Sequence, residues 1–408
     1  MKKISLYYRD DSTDAGLEMF KYCPGIPKKY LTGEFYVLPM NNPSALFGLF
    51  GDPFDNIFKD KDENDENYYF PLCVSLTNLE YIVKEIDIPQ QVIQDIFNKK
   101  CKILVFNSYE GWEWKWWKNF VNPLFEKYNL ELNDFVFVNA NLADSEDCNS
   151  IYNNFWERQA QQEDMKWLLT KGNMEISNNI IRDKKYICLN RRPHAGRFVG
   201  VTELYRYIDD GYLSFGKNGQ MHDQYFVDQE NIFSKHYPKS FKRYKKFGLQ
   251  PKIPLTIDDG VDPEAENPVH DWAIEKFYQS YLHICPETYQ YRVADRIFFS
   301  EKIFKPMMYM QPFVILGEQH ALKALKKLGY KTFDTVLDES YDSIENDQER
   351  LLKACRSAIE YFNRSKEDLM EDMHKITSIL NHNLSWLSYR SLSMDSNLHT
   401  DLEKKLYE

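Results

Sequence analysis

The sequence predicts an α/β protein built from two domains that face a cleft. Short strand candidates rich in β-branched and aromatic residues alternate with helical stretches, which is the grammar of open, mostly parallel sheets. That grammar restarts near residue 185, so the chain reads as two such units. In both halves polar or charged turns follow strands directly, where parallel sheets collect their ligand-binding loops. With 408 residues, 43% apolar and 15% aromatic, the chain has material for two sizeable cores, and wholesale disorder is excluded.

In the first half the strand candidates are Ile4–Tyr8, Phe35–Leu38, Lys102–Phe106 and Asp134–Asn139, with helical stretches near Leu79–Lys84, Pro89–Asn98 and Trp112–Tyr128. Asp52–Glu66, with seven acids and two lysines, reads as a solvated loop. Ser150–Lys171 reads as helix and Gly172–Asp183 as a polar linker. In the second half Lys185–Leu189, Tyr281–Cys285, Pro312–Leu316 and Lys331–Phe333 are strands. Helices are expected at Phe198–Ile208, at Glu318–Leu328 with Gly329 as the stop, and at Glu349–Asn363. A long final helix opens at Ser365 with a capping-box-like start.

Composition narrows the function classes. A net charge of −11 argues against a protein that coats nucleic acid nonspecifically. The absence of an 18-residue uncharged apolar run predicts no membrane span, and the Met1-Lys-Lys start predicts no signal peptide. Seven dispersed cysteines read as reduced, buried small hydrophobes of a cytoplasmic protein, and no His/Cys spacing suggests zinc.

Two strand-end segments carry the chemistry. The first is Ser300-Glu301-Lys302-Ile-Phe-Lys305-Pro306, which opens a short helix ahead of the apolar run Pro312–Leu316. Unpaired N–H groups at a helix start suit a pyrophosphate; a lysine adds a cation, and a carboxylate accepts from ribose hydroxyls. The same residues also fit a solvent-facing Glu-Lys pair beside a capping serine. The second is Asn190-Arg191-Arg192-Pro-His194-Ala-Gly196-Arg197, whose arginines suit phosphate oxygens or, alternatively, a basic surface turn. Glu110, Asp144 and Asp10 follow first-half strands and are candidate bases for an acceptor hydroxyl, or else helix caps. His283, inside an apolar run, reads as structural. Asn231–Lys252 holds seven Lys/Arg interleaved with Tyr237, Phe241, Tyr244 and Phe247, which fits a polyanion groove or a solvated amphipathic face. No Asp-x-Asp stands at an expected strand end, so no metal ligands are assigned.

The Ser300-Glu301-Lys302 block with its trailing Pro-Phe-Val-Ile-Leu-Gly, together with Asn190…Arg197, resembles the nucleotide-sugar motifs of α-1,3-fucosyltransferases and related GT-B glycosyltransferases. The combination of Cys-Leu-Asn-Arg-Arg-Pro-His, Ser-Glu-Lys-Ile-Phe-Lys-Pro and Leu-Gly-Tyr-Lys-Thr-Phe-Asp is similar to glycosyltransferase-like proteins of large tailed phages. The resemblance implies two Rossmann-like domains, an acceptor domain at 1–180 and a donor domain at 181–408, with the final helix packing back across the cleft. It implies that Lys302 and Arg197 face a donor diphosphate and Glu301 its ribose, with Asn190, Arg191, Arg192, Ser300 and Lys305 nearby. The acceptor would be a surface glycan or a hydroxymethylated pyrimidine in phage DNA. A non-catalytic nucleotide- or nucleic-acid-binding protein is the alternative. Pro306 stands where the family has asparagine and predicts a disturbed helix.

Overall fold

The computed structural model describes residues 3–6, 58–73, 86–107, 122–139, 141–143, 150–154, 157, 181–217, 223–257, 274–288, 290 and 296–408. The protein is mixed α/β with parallel sheets, and the chain divides into two compact units. One comprises 1–155, 293–298 and 392–408; the other comprises 156–292 and 299–391.

The first unit holds a six-stranded sheet of β1 (Ile4–Leu6), β2 (Phe58–Asp60), β3 (Tyr68–Cys73), β4 (Cys101–Asn107), β5 (Phe135–Asn139) and β7 (Ser150–Tyr152). The order is β2-β1-β3-β4-β5-β7 and every pair is parallel. β6 (Asn141–Ala143) pairs antiparallel with β11 (Arg296–Phe298). Tyr69, Phe70, Ile103, Val105, Phe135 and Val136 are fully buried in the core of this unit, as expected of strands covered on both faces. Helix α1 (Gln90–Phe97) adds Val92 and Ile96. Leu398, Leu402 and Leu406 close the same core, and the Tyr69 hydroxyl donates to the Leu402 carbonyl at 2.7 Å.

The second unit is a four-stranded parallel sheet of β8 (Lys184–Cys188), β9 (Gly211–Leu213), β10 (Ser280–Pro286) and β12 (Phe313–Leu316), in the order β12-β10-β8-β9. β10 and β12 are buried throughout. Helices α2 (Ala195–Leu204), α3 (Asp223–His236) and α4 (Pro238–Phe247) gather around Phe198, whose ring meets Phe215, Phe226, Phe233 and Tyr244. After α5 (Ile274–Tyr278) come α6 (Glu301–Met308), α7 (Ala321–Lys327), α8 (Asp347–Phe362), α9 (Lys366–Lys375) and α10 (Thr377–Tyr407). No helix among the described residues is long and apolar enough to cross a membrane.

Several expectations need correction. Ser150–Tyr152 begins no helix; it is β7, an edge strand on β5. Asp52–Glu66 is not all loop, since β2 lies within it. As a result Asp60-Lys61-Asp62 does stand at a strand end, although Asp62 and Asp65 both pair with Lys59, at 2.9 and 2.8 Å. β3 is a strand that the sequence reading omits; its Pro71 lies two residues past the described contact of β1 with Tyr69. Lys331–Phe333 is not a strand: Phe333 stacks edge-on against Phe313, and the Lys331 amide donates to the Asn383 side chain. The helix expected from Glu318 starts at Ala321, because His320 sits at φ 68°. The helix expected over Phe198–Ile208 starts earlier, at Ala195; its α-helical part ends at Leu204 and a 3-10 helix continues it over Tyr205–Asp210. The final helical stretch is two helices that break at Ile376. Phe35–Leu38 and Leu79–Lys84 lie outside the described residues, and Trp112–Tyr128 is described, as helix, only over 122–128. Cys101, Cys188, Cys285 and Cys355 are buried and unbridged, as expected of small core hydrophobes.

Candidate functional site

The second unit's strand order determines where a ligand site can form. From β8 the chain moves to β9 on one side; it then crosses to β10 on the other side and continues outward to β12. The connections therefore diverge between β8 and β10. A crevice at the carboxyl ends of two such strands is the usual ligand position of an open parallel sheet. The segments leaving these two strands are 189–197 and 287–302, and both expected motifs fall in them.

After β8, Asn190 is buried and acts mainly as a fastener. Its Nδ2 donates to the Ser214 carbonyl at 3.1 Å and to Cys188 Sγ at 3.4 Å, while its Oδ1 has no partner. Gly216 donates to the Asn190 carbonyl at 2.8 Å, and a Cβ there would stand 2.0 Å from the Arg191 oxygen, so only glycine lets these segments meet. The three arginines differ in exposure: Arg192 is exposed and Arg191 half-buried, whereas Arg197 is 3% exposed. Arg197 donates from Nη1 to the Arg192 carbonyl at 3.1 Å, and its Nε is buried without a partner. Burial draws its guanidinium down to about 10, opposed by the nearby carboxyls of Glu301 and Glu287. His194 Nδ1 lies 2.9 Å from the Tyr225 hydroxyl. Burial, together with the charges of Arg197, Lys302 and Arg192, holds that imidazole neutral, at about 2.

After β10, Glu287 is 2% exposed. It accepts from the Ser300 hydroxyl at 2.5 Å and from the Ser300 amide at 3.2 Å. Ser300 caps α6, its Oγ accepting from the Lys302 amide at 3.4 Å, so the capping expectation holds. The Lys302 ammonium donates to Glu301 at 2.8 Å and to Ser300 Oγ at 3.2 Å. The Glu-Lys pair is real but not solvent-facing, each side chain being about one-fifth exposed, at 19% and 21%. Burial opposes ionisation of Glu301, but Lys302 and then Lys305 outweigh it and hold the carboxyl at about 2. Burial pushes Glu287 up from its ordinary value, with Lys302 acting against it.

Pro306 does not break α6. The helix runs through it, and the carbonyl that a residue-306 amide would have bonded, that of Lys302, accepts instead from Cys285 Sγ at 3.4 Å. Lys305 is buried at 7% exposure. Across the crevice, Gln290 lies against the first turn of α2: a Cβ on Gly196 would stand 2.5 Å from Gln290 Cβ. Arg350, 1% exposed, ties the strand-end loops together through the carbonyls of Gly317, Gln290, Ile344 and Glu345.

The structure thus brings Arg197, Ser300, Glu301 and Lys302 to one place, with Lys305 near enough to act on Glu301, while Asn190 is fastened to Ser214 and Cys188 instead. Glu110, Asp144 and Asp10 lie outside the described residues. Glu287 and Tyr225 are not singled out by the sequence motifs. Glu287 was findable by the strand-end argument applied to Glu110, because it follows an apolar strand in the same way. In the basic segment, Tyr237 and Tyr244 are core residues. Arg243 pairs with Glu203 at 2.5 Å, Lys245 with Glu230 at 3.7 Å and Lys239 with Glu349 at 3.7 Å. Of the two readings of that segment, the amphipathic face fits this geometry. His283 is buried beside Phe277. Burial, reinforced by Lys305 and Lys302, pulls its imidazole down to about 3, which fits a structural role.

Fold and site define an α/β protein whose parallel-sheet strand ends bring together Arg197, Lys302 and the carboxyls of Glu287 and Glu301. The chain matches no family model, no curated protein and no solved structure.

Proposed function

We propose that the protein is a glycosyltransferase that moves a sugar from a nucleotide-diphosphate sugar to an acceptor hydroxyl. The observation that carries this reading is the convergence of buried Arg197, capped helix α6 and Lys302 at the reversal of strand order between β8 and β10. Both sheets share a further feature: among the described strands of each, the second flanks the first on one side and the third flanks it on the other. That order is the doubly wound arrangement, and it supports reading the units as two Rossmann-like domains.

In the reaction the acceptor oxygen bonds to the anomeric carbon as the bond from that carbon to the β-phosphate oxygen breaks. The electron pair goes to the departing diphosphate, and the acceptor proton goes to a carboxylate. Lys302 and Arg197 stabilise the charge that grows on the diphosphate, and Glu301 accepts from the ribose. Among the candidate bases, Asp10 follows β1, the strand at which the first sheet's order reverses, while Glu110 and Asp144 follow β4 and β6. Asp10 is therefore the first base to test. Three of the basic segment's seven cations, Arg243, Lys245 and Lys239, are engaged with acids, which leaves fewer of them for phosphates and supports a glycan over DNA as acceptor.

A thermal-shift panel of UDP-, GDP-, CMP- and dTDP-sugars tests the reading. One nucleoside-diphosphate sugar at a hundred times its Kd should stabilise the protein by about 2.7 kcal/mol. No shift with any of them, beside steeply salt-dependent binding of nucleic acid, would favour the non-catalytic alternative.

A further inference from the structure

Glu287 has no role in the scheme above, yet it is the most deeply buried carboxyl at the crevice. Its main partner, Ser300, comes from a different segment. Both the amide and the hydroxyl of Ser300, thirteen residues on, donate to it, as does the Thr288 amide at 3.2 Å. A hydroxyl has one proton and two lone pairs. Because Ser300 gives its proton to Glu287, its lone pairs are turned toward the Lys302 amide at 3.4 Å and the Lys302 ammonium at 3.2 Å. The ammonium is then held by two acceptors, Ser300 Oγ and Glu301 Oε1, and one of its three N–H bonds is uncommitted among these contacts.

We propose that Glu287 is the positioning residue of the crevice: acting through the Ser300 hydroxyl, it holds the Lys302 ammonium and the first turn of α6 in place for an anion. The identity of that anion, a nucleoside diphosphate, rests on the glycosyltransferase reading; the positioning does not. A competing role is simple counter-charge to Arg197, and the two roles differ in sign. If Glu287 only balances charge, its neutralisation tightens anion binding. If it orients the donors, its neutralisation weakens binding, because Ser300 is free to turn and Lys302 to swing away.

The test reads Lys302 directly and needs no ligand. Amine acetylation by a limiting pulse of acetic anhydride, located by peptide mass spectrometry, is compared in the intact wild-type chain, Glu287→Gln, Ser300→Ala and the double variant. Lys305, buried on the same helix, is the internal control: unfolding accelerates labelling of both lysines, whereas release accelerates Lys302 alone. Labelling of Lys302 should rise by about tenfold in each single variant, as expected for the loss of a hydrogen bond to a charged group. Ser300→Ala alters no charge, so a rise there reports release of the amine. The double variant should label no faster than the faster single, since Glu287 acts through Ser300. A Glu287→Gln protein with the wild-type Lys302 rate overturns the proposal, as does a double variant whose rise is the product of the two. If no nucleotide sugar binds while Lys302 responds as stated, the glycosyltransferase reading fails and the positioning stands.

Discussion

Lys302→Ala should lower kcat/KM for sugar transfer by about 10²-fold, or about 2.7 kcal/mol of transition-state stabilisation, while leaving the fold intact. The fold is spared because, among the described residues, the Lys302 ammonium bonds Glu301 and Ser300, and its side chain is 21% exposed. On the proposed mechanism the activity is not, because charge on a leaving diphosphate is greatest in the transition state, and a cation there acts more on the barrier than on ground-state binding. The loss should therefore fall mainly on kcat, with a smaller rise in donor KM. Lys302→Arg keeps the charge but not the point geometry and should recover part of it. Wild-type turnover in Lys302→Ala, with a normal melting temperature, would remove Lys302 from the mechanism.

Arg350→Met should destabilise the second unit by about 4 kcal/mol. The methionine fills much of the volume, so the loss reports hydrogen bonds rather than a cavity. Arg350 donates to four backbone carbonyls and to Asp347, and the guanidinium is buried. Each buried acceptor left without a donor costs about 1–3 kcal/mol, and breaking a buried charged group's network typically costs about 3–5 kcal/mol. Its donation to the Gln290 carbonyl links this residue to the crevice, because Gln290 in turn lies against Gly196. Donor affinity should fall along with stability. A denaturant midpoint shift that, multiplied by m, amounts to less than about 1 kcal/mol would show that the loops hold without it.

The sequence made the second unit legible where strands are buried on both faces. Lys185–Leu189, Tyr281–Cys285 and Pro312–Leu316 are mostly apolar runs, broken only by Lys185 at one end and His283 in the middle, and each matches its observed strand to within a residue or so. Three-residue edge strands such as β2, β7 and β9 carry too few side chains for alternation to show, and two of them sit in stretches read as loop or helix. Within the site, Ser300, Glu301 and Lys302 were legible because helix starts have a local signature in the chain. Arg197 was legible as one of three arginines, but that it alone is buried follows from packing. Arg350 was not legible, because its partners Gly317 and Gln290 lie 33 and 60 residues away, and nothing local marks it. Pro306 misled for a related reason: the acceptor it orphans is met by Cys285, from another element.

On the proposed reading a nucleoside diphosphate binds at the carboxyl ends of β8 and β10. Photolabelling with an azido nucleoside diphosphate, followed by peptide mapping, tests it most directly. The label should fall on peptides containing 189–197 or 287–305 and should be displaced by excess unlabelled diphosphate. Displaceable label confined to 1–155 would place the nucleotide in the other unit and contradict the account.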